Sequence, residues 1–524
     1  MESKEEIAVN LTNTNREETM RQLLETTYDV IVIGGGLTGA SILFDLQMRG
    51  LKTLLIEKND YASGASESFD LLVHDKETFQ MLPKQKKQEL HQLNQNLGEA
   101  FQFLPAVELI ATDTPVTAGI KKRLWPLLKK RALDKPVASI QLSATQKQQF
   151  ESVGTITHST VPFVDTARLT IDLIKASISL NADAINYQMV TDLYLSGNDL
   201  RGVFVEDQIT GETNVIYTKK VINATGLASL ELHDRLHKKE SSTFTLIPRR
   251  KYQWLVPLTV LSLDFPVIIK QGLYPYTVSL IPRDQGVLVS TVRPNGAMLS
   301  NKAVLLEVKH EIERVFPEVT LDSNHIFTFR ATKEVDTNLE KTPYNFYKSS
   351  QDMITAIGCP VSNYRQYAEK VGDEVTKQFK AESAILYEGS DTKTRIVSTD
   401  VTKKLTVTLS EDRRMIQLMN KYQMDQEQIE RLSRDVDRLM VDYPIPSRLF
   451  IELLYTVESE GVYKATDFFK RRLRLNVFDY TIHSAIIFQI LQFLEGRLAW
   501  TKEERSYYER EVKQFMAHRQ QFDK

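Results

Sequence analysis

The chain has 524 residues, a formal net charge of −2 and one cysteine, with 42% hydrophobic and 26% charged residues. This length suits two or three globular domains, and the balanced charge gives no reason to expect nucleic acid as a partner. A single cysteine excludes an internal disulfide framework, and the histidines show no ligand spacing, so we predict no metal and a reducing, cytoplasmic location.

The first 27 residues form a polar lead-in without the apolar core of a signal peptide. This composition predicts a mobile segment or a short helix. No apolar run in the chain approaches the roughly 20 residues that a membrane-spanning helix needs. Attachment to a membrane surface remains open.

Residues 28–58 carry the pattern around which the first predicted domain is organised. Apolar runs and a helical apolar stripe predict, in order, a buried strand, a glycine turn, a helix and a second strand: 29–33, 34–36, 37–49 and 53–56. The turn and the start of the helix contain a G-x-G-x-x-G sequence formed by Gly34, Gly36 and Gly39. Strand, glycines, helix and strand in this order predict a dinucleotide-binding unit.

Each glycine has a physical task in such a unit. Gly34 permits the tight turn from strand to helix, and Gly36 lets a pyrophosphate approach the backbone. Gly39 allows the helix to pack closely against the strand. The amides that open the helix, at Leu37 and Thr38, together with the helix dipole, favour a bound phosphate.

An acidic residue, Glu57, ends the second predicted strand and is followed by Lys58. Glu57 lies where a carboxylate accepts hydrogen bonds from an adenosine ribose. An acid at this position disfavours a 2′-phosphate, so FAD or NAD is favoured over NADP. The alternative is a glycine-rich turn that binds no ligand.

Three further stretches precede residue 140. The small residues 62–66, including Ser63, suit a loop that lies close to a flat ring system. Apolar spacing at 83–104 predicts an amphipathic helix. The basic stretch 121–131 contains a tryptophan and is typical of a solvated helix face whose tryptophan packs inward, with contact to an anionic membrane surface as the alternative.

The rest of the chain alternates β-type and helical patterns. Strands are predicted at 184–194, 201–207, 214–217, 220–223, 325–330 and 353–357, and helices at 302–315 and 363–380. The β-type runs between 244 and 295 predict a second, largely antiparallel sheet. A polar linker at 386–409 precedes a helical pattern that continues from 410 to 524.

Several segments between residues 28 and 479 resemble, in order and spacing, the FAD-linked glycerol-3-phosphate dehydrogenase and oxidase family. The segments that carry the resemblance are DVIVIGGGLTGASILFDLQMRGLKTLLIEKNDYASGASES, VDTARLTIDLIKAS, VINATG, NYRQYAE and LYTVESEGVYKATDFFKRRLRL. The resemblance implies an α/β fold: a Rossmann-like FAD-binding domain (28–385), an inserted antiparallel β-rich substrate domain (roughly 75–155 and 240–335) and an all-α C-terminal domain (410–524).

The family resemblance also implies a reaction. It implies oxidation of sn-glycerol 3-phosphate to dihydroxyacetone phosphate by FAD, with electrons passing to a quinone or to dioxygen. Such chemistry needs a base for the substrate hydroxyl and cations for its phosphate. A cytoplasmic protein, peripheral on the inner face of the membrane, is compatible with this reaction. A homodimer is one option for the oligomeric state.

The resemblance carries roles onto particular residues. His74 is the candidate base, with a hydrogen-bonded histidine beside the flavin as the alternative. Arg330 is the candidate phosphate ligand, with a structural ion pair as the alternative, and Arg250 is a second cation candidate that is otherwise a solvated charge. Further cofactor contacts are implied at Lys58, Ser63, Val190, Ala224, Gly226, Gly358 and Tyr364.

The chain departs from the family near the flavin edge and the substrate phosphate. Residues that replace family arginines, lysines or glycines are Ser68, Leu71, Asp75, Lys76, Thr78 and Pro360. A phosphate taken out of water needs cations or several N–H donors. Three hypotheses therefore stay open: an active enzyme with a rebuilt phosphate site, a catalytically impaired paralogue with a regulatory or partner-binding role, and an FAD oxidase for a less anionic substrate.

Overall fold

The computed structural model describes most of the chain: residues 11–67, 69–71, 101–110, 140–236, 248–270, 276–283, 286–293, 300–322, 328–335, 346–348, 352–361, 364–382, 418, 421–422, 426–474 and 483–518. These residues form two eight-stranded sheets and a helical C-terminal region. The α/β class with an all-α C-terminal part, predicted from the sequence, is confirmed.

The first sheet has a parallel centre. Its strands are β1 (Thr27–Ile33), β2 (Thr53–Ile56), β6 (Asp183–Ile185), β7 (Gln188–Ser196), β8 (Asp199–Asp207), β9 (Thr213–Asn223), β15 (Phe346–Lys348) and β16 (Met353–Ala356). The order is β15-β16-β9-β1-β2-β6, and β7 and β8 extend from β9 as an antiparallel meander. Because β16, β9, β1, β2 and β6 run in the same direction, their carboxyl ends share one edge.

Helices cover this sheet. α1 (Arg16–Glu25) precedes β1, α2 (Leu37–Met48) follows it, and α5 (Ser229–Leu236) comes shortly after β9. α2 is buried along most of its length, because α4 (Thr166–Ser179) and α7 (Tyr364–Glu382) both pack against it. A helix enclosed in this way is apolar on most sides, which explains its run of small and aliphatic residues at 37–43.

The second sheet is antiparallel except for one pair. Its strands are β3 (Phe69–Leu71), β4 (Phe101–Ile110), β5 (Thr155–Asp165), β10 (Pro248–Pro257), β11 (Val267–Lys270), β12 (Val278–Arg283), β13 (Gly286–Arg293) and β14 (Thr328–Val335). The order is β14-β10-β13-β12-β11-β4-β5-β3, and only β11 and β4 are parallel among these described strands. Helices α3 (Ala144–Val153) and α6 (Asn301–Val315) share an apolar core with this sheet. The substrate domain was predicted at roughly 75–155 and 240–335. The second sheet contains the described strands of these ranges and also β3 and β5.

The C-terminal region consists of helices around a separate apolar core. They are α8 (Gln426–Leu439), α9 (Ser447–Ser459), α10 (Ala465–Asp467), a π-helix (Phe468–Arg472), α11 (Ser484–Arg497) and α12 (Lys502–His518). The aromatic rings of Phe450 and Phe493 in this core, and of Tyr443 packed against it, are in edge-to-face contact. No helix in the described part of the chain is long and apolar enough to cross a membrane.

Three local predictions are wrong. The two strands predicted at 214–217 and 220–223 form one continuous strand, β9. The helix predicted at 83–104 cannot include its last turn, because residues from Phe101 onward form β4 and pair along their length with β5. The single strand predicted at 184–194 is two strands, β6 and β7, which the backbone separates at Tyr187 with a φ of +56°. At residues 101–104, pairing with β5 overrides the local apolar pattern.

Candidate cofactor site

The carboxyl edge of the first sheet gathers turns that are far apart in sequence. β1 leads into Gly34, β2 into Glu57, β9 into Ala224 and Gly226, and β16 into Gly358. In open α/β sheets, ligands bind outside the carboxyl ends of the strands. These five residues, all predicted from the sequence to contact the cofactor, therefore lie along one edge.

The glycines of the first turn leave no room for a side chain. Gly34 has a φ of +110°, and a Cβ there would come within 2.6 Å of the Ala224 carbonyl oxygen. A Cβ on Gly39 would lie 1.9 Å from the Gly34 carbonyl oxygen, and one on Gly36 would lie 3.0 Å from Ser66 Oγ. The bare backbone over Gly36 is the cradle that a pyrophosphate requires, so these residues fit a dinucleotide.

The amino end of α2 points toward this cradle. The Leu37 amide donates to Ser66 Oγ at 2.8 Å, and the Thr38 hydroxyl accepts from the Cys359 amide at 3.3 Å. Gly36, the N-cap residue, contributes no side-chain cap. The helix therefore directs its positive end at the site of the expected phosphate, and Ser66 lies over its first amide.

Glu57 is buried at the end of β2, with 7% of its surface exposed. Its Oε2 accepts from the Gly35 amide at 2.6 Å, and its Oε1 accepts from the Asn59 amide at 2.8 Å. Burial raises the pKa of Glu57, the two amides oppose this shift, and the charge of Asp60 adds to it. Each oxygen retains a second lone pair, so the carboxylate can still accept hydrogen bonds from a ribose.

Other predicted cofactor contacts have different surroundings. Lys58 is exposed and Ser63 half-buried, both in the segment between β2 and β3. Val190 is buried in β7 opposite Val205, and Tyr364 is buried at the start of α7. The side chains of Val190 and Tyr364 belong to apolar cores, so the predicted contact of Val190 with a cofactor would come from its backbone.

The structure describes only some of the residues predicted to bind or convert the substrate. His74, the basic stretch 121–131 and the linker 386–409 lie outside the described residues. The backbone of Arg330 pairs with Gln253 of β10, and half-buried Arg250 pairs with Arg293 of β13. β14, which carries Arg330, packs against the turns at Gly64–Glu67 and Gly226–Ala228 that border the cofactor edge.

A buried cluster of charges beside the cofactor edge was not predicted from the sequence. The Arg471 guanidinium pairs with Asp60 through Nε and with Asp467 through Nη2 at 2.8 Å. Arg472 Nη1 and Nη2 donate to the two oxygens of Asp60 at 2.8 and 3.0 Å. Burial alone would raise the pKa of Asp60, but the Arg472 and Arg471 charges outweigh burial and lower it. The signal available in the sequence was the pair of adjacent arginines that follows two phenylalanines in FFKRR.

A family model described as FAD dependent oxidoreductase (DAO) matches residues 29–339. The chain belongs to this family of flavin-dependent oxidoreductases. Its cofactor is FAD, as the sequence predicted, and the cradle at Gly36 and the carboxylate of Glu57 fit that group.

Individual relatives show a more specific resemblance than the family model does. The aerobic glycerol-3-phosphate dehydrogenase of Staphylococcus haemolyticus is 25% identical, over 96% of this chain and 96% of the relative. The protein of the same name from Bacillus subtilis is 25% identical, over 93% and 94%. A glycerol-3-phosphate dehydrogenase of Bacillus halodurans, solved with FAD, has the same fold, with a TM-score of 0.79, 20% identity and coverage of 98% and 99%. The resemblance noted in the sequence is thereby confirmed.

Proposed function

We propose that this FAD-dependent oxidoreductase oxidises sn-glycerol 3-phosphate to dihydroxyacetone phosphate. The likeness to aerobic glycerol-3-phosphate dehydrogenases over 96% of both chains carries the proposal, because it includes the second sheet and the helical region as well as the cofactor domain. When bound, FAD supplies the acceptor for the hydride that leaves the substrate carbon.

The protein's own residues would divide the remaining work. His74 takes the proton of the C2 hydroxyl, and Arg330 neutralises the phosphate, with Arg250 as a second cation. Packing of β14 against the turns at Gly64–Glu67 and Gly226–Ala228 supports the role of Arg330, because it brings this strand beside the cofactor edge. Electrons then leave to a quinone or to dioxygen.

The alternative is a chain that holds FAD but does not turn over this substrate. It is favoured by the replacement of basic family residues by Ser68, Leu71, Thr78 and Pro360, and by the acid at Asp75. Fewer cations would weaken the binding of a doubly charged phosphate. Such a protein would be a regulatory paralogue or an oxidase for a less anionic substrate.

Anaerobic reduction of the flavin separates these functions. The purified full-length protein is titrated with glycerol 3-phosphate while the flavin absorption band is followed, with glycerol and inorganic phosphate as matched controls. Bleaching by glycerol 3-phosphate alone is the expected result. A flavin that dithionite reduces but glycerol 3-phosphate does not would contradict the proposal and leave the two alternatives.

The acceptor and the membrane are tested separately. The rate of reoxidation of the substrate-reduced protein by dioxygen is compared with the rate by a soluble quinone, and the faster reaction identifies the acceptor.

We also propose a cytoplasmic protein that associates peripherally with the inner membrane face through 121–131. Sedimentation with vesicles that contain anionic lipid, but not with neutral vesicles, is the expected result. Equal sedimentation with both, or with neither, would contradict it.

A further inference from the structure

The loop at residues 60–67 connects the C-terminal helical region to the phosphate cradle. At the cradle, Ser66 Oγ accepts from the Leu37 amide at 2.8 Å, and the Ala62 amide donates to the Gly35 carbonyl at 2.8 Å. Ala62 itself has a φ of +59°, a left-handed conformation that a residue with a Cβ adopts only under constraint. The position of Ser66 therefore depends on whatever holds this loop.

Both ends of the loop are held by arginines from the far end of the chain. Arg471 pairs with Asp60 at one end and with Glu67 at the other, the latter at 3.4 Å. Arg472 reinforces the Asp60 end, and Arg474 Nη1 donates to the Glu67 carbonyl at 2.8 Å. Of these three arginines, Arg471 pairs with the side chains at both ends.

Arg471 is itself fixed from a third side. Asp467, one turn earlier, accepts from Arg471 at 2.8 Å and also from the Tyr187 hydroxyl, at 2.8 and 2.7 Å to its two oxygens. Arg471 is 8% exposed and Asp60 is 1% exposed. Buried ion pairs contribute little net stability compared with apolar packing, but they restrict geometry, since any other arrangement leaves a charge unpaired.

We infer that Arg471 is a positioning residue for the FAD site. Through Asp60 and Glu67 it holds the loop so that Ser66 stays over the amide that opens α2. The helical region would then act on cofactor binding without touching the cofactor. This role concerns FAD affinity, so its test is independent of whether glycerol 3-phosphate is the substrate.

The test measures FAD dissociation from the full-length holoprotein by the fluorescence of released flavin on dilution. Arg471→Met should weaken FAD binding about tenfold or more. Arg471→Lys keeps the charge but loses the forked guanidinium group, so its FAD affinity should lie between those of the parent protein and Arg471→Met. Arg505→Met is the matched control, because Arg505 is also largely buried and pairs with Glu495 and Glu509 within the helical region. It should leave FAD affinity unchanged.

A double-mutant cycle with Ser66→Ala distinguishes positioning from general destabilisation. If Arg471 acts through Ser66, the effect of Arg471→Met on FAD affinity should shrink to less than about threefold in the Ser66→Ala protein. Additive effects, or equal weakening by Arg505→Met, would overturn the inference. If Arg471→Met does not fold, Glu67→Gln, which leaves the Asp60 pair intact, takes its place in the same cycle, and additivity there would overturn the inference as well.

Discussion

The cofactor edge of the first sheet and the second sheet, which carries the residues proposed to bind the substrate, differ in how narrowly geometry restricts their residues. At the edge, a Cβ on Gly39 would lie 1.9 Å from a carbonyl oxygen, so only glycine fits. On the second sheet, the candidate groups Arg250 and Arg330 act through charge, which other positions can supply. A chain can therefore keep its cofactor while its substrate site changes, and binding of FAD and turnover should be separable by mutation.

The largest effect is expected at the first turn. Gly39→Ala places a methyl group against the Gly34 carbonyl, a contact that the backbone can relieve only by moving α2 away from β1. We expect a loss of about 3 kcal/mol or more of stability, at the upper end of overpacking effects, and no retained FAD. Thermal unfolding and the flavin-to-protein absorbance ratio measure both.

The matched control for this substitution is Gly496→Ala in α11. The nearest atom to a Cβ there is Tyr443 Oη at 3.6 Å, which is ordinary contact. Alanine in place of glycine in a helix should stabilise the protein by up to about 1 kcal/mol and leave FAD bound. If Gly39→Ala retained FAD, the added methyl group would not prevent cofactor binding, and the prediction for Gly39 would be wrong.

A smaller effect is expected at the ribose. Glu57→Gln keeps the size of the side chain but removes the charge that accepts hydrogen bonds. Because hydrogen bonds to charged groups contribute roughly 1.5–3 kcal/mol, FAD affinity should fall about 10- to 100-fold. Titration of the apoprotein with FAD measures this change, and the same substitution at Glu212, which is exposed in the turn between β8 and β9, serves as control. Equal affinities for Glu57→Gln and the parent protein would exclude the ribose contact.

On the second sheet, substitution should change the substrate and not the cofactor. Arg330→Met should raise KM for glycerol 3-phosphate about tenfold by removing one charge-assisted contact to phosphate. FAD affinity should stay within about twofold, which separates this residue from those of the cofactor edge. Arg250→Met should have a smaller effect. A loss of FAD with Arg330→Met would instead indicate a structural ion pair.

Local patterns predicted the parallel unit well. The strands before Gly34 and Glu57 and the helix between them have the expected bounds to within two residues, because an apolar run and a glycine turn are signals within one short segment. β4 was missed, and its residues 101–104 were assigned to a helix, since its pairing partner, β5, is distant in the sequence. Local periodicity contains no information about such a partner.

The same reason explains the missed charge cluster. Arg471 and Asp60 are 411 positions apart, and nothing within either segment indicates that the two residues pair. Separately, each is an ordinary charged residue that the sequence favours on the surface. Only the fold brings the helical region to the loop at 60–67 and makes both residues part of the cofactor edge.

The smallest expected effect is a dependence on pH. The stability of the apoprotein should fall as pH rises, whereas FAD affinity should fall as pH decreases. Burial raises the pKa of Glu57, so the folded apoprotein binds this proton more tightly than the unfolded chain does. The resulting contribution to stability is present below the ordinary pKa of glutamate and is lost as pH rises through the raised pKa. A ribose needs the carboxylate, so FAD affinity should instead fall as pH decreases through the same raised pKa.

Titrations at a series of pH values test both signs. Thermal unfolding of the apoprotein and its affinity for FAD are measured from about pH 8 down to the ordinary glutamate range of about pH 4.3. In Glu57→Gln the pH dependence of FAD affinity should become flatter, because the amide that replaces the carboxylate has no proton to gain. It should not vanish, since the other acids near the edge, Asp60 above all, are unchanged. If the parent and the variant lose FAD in parallel on acidification, another group near the cradle controls binding, and the carboxylate at the end of β2 does not hold the ribose.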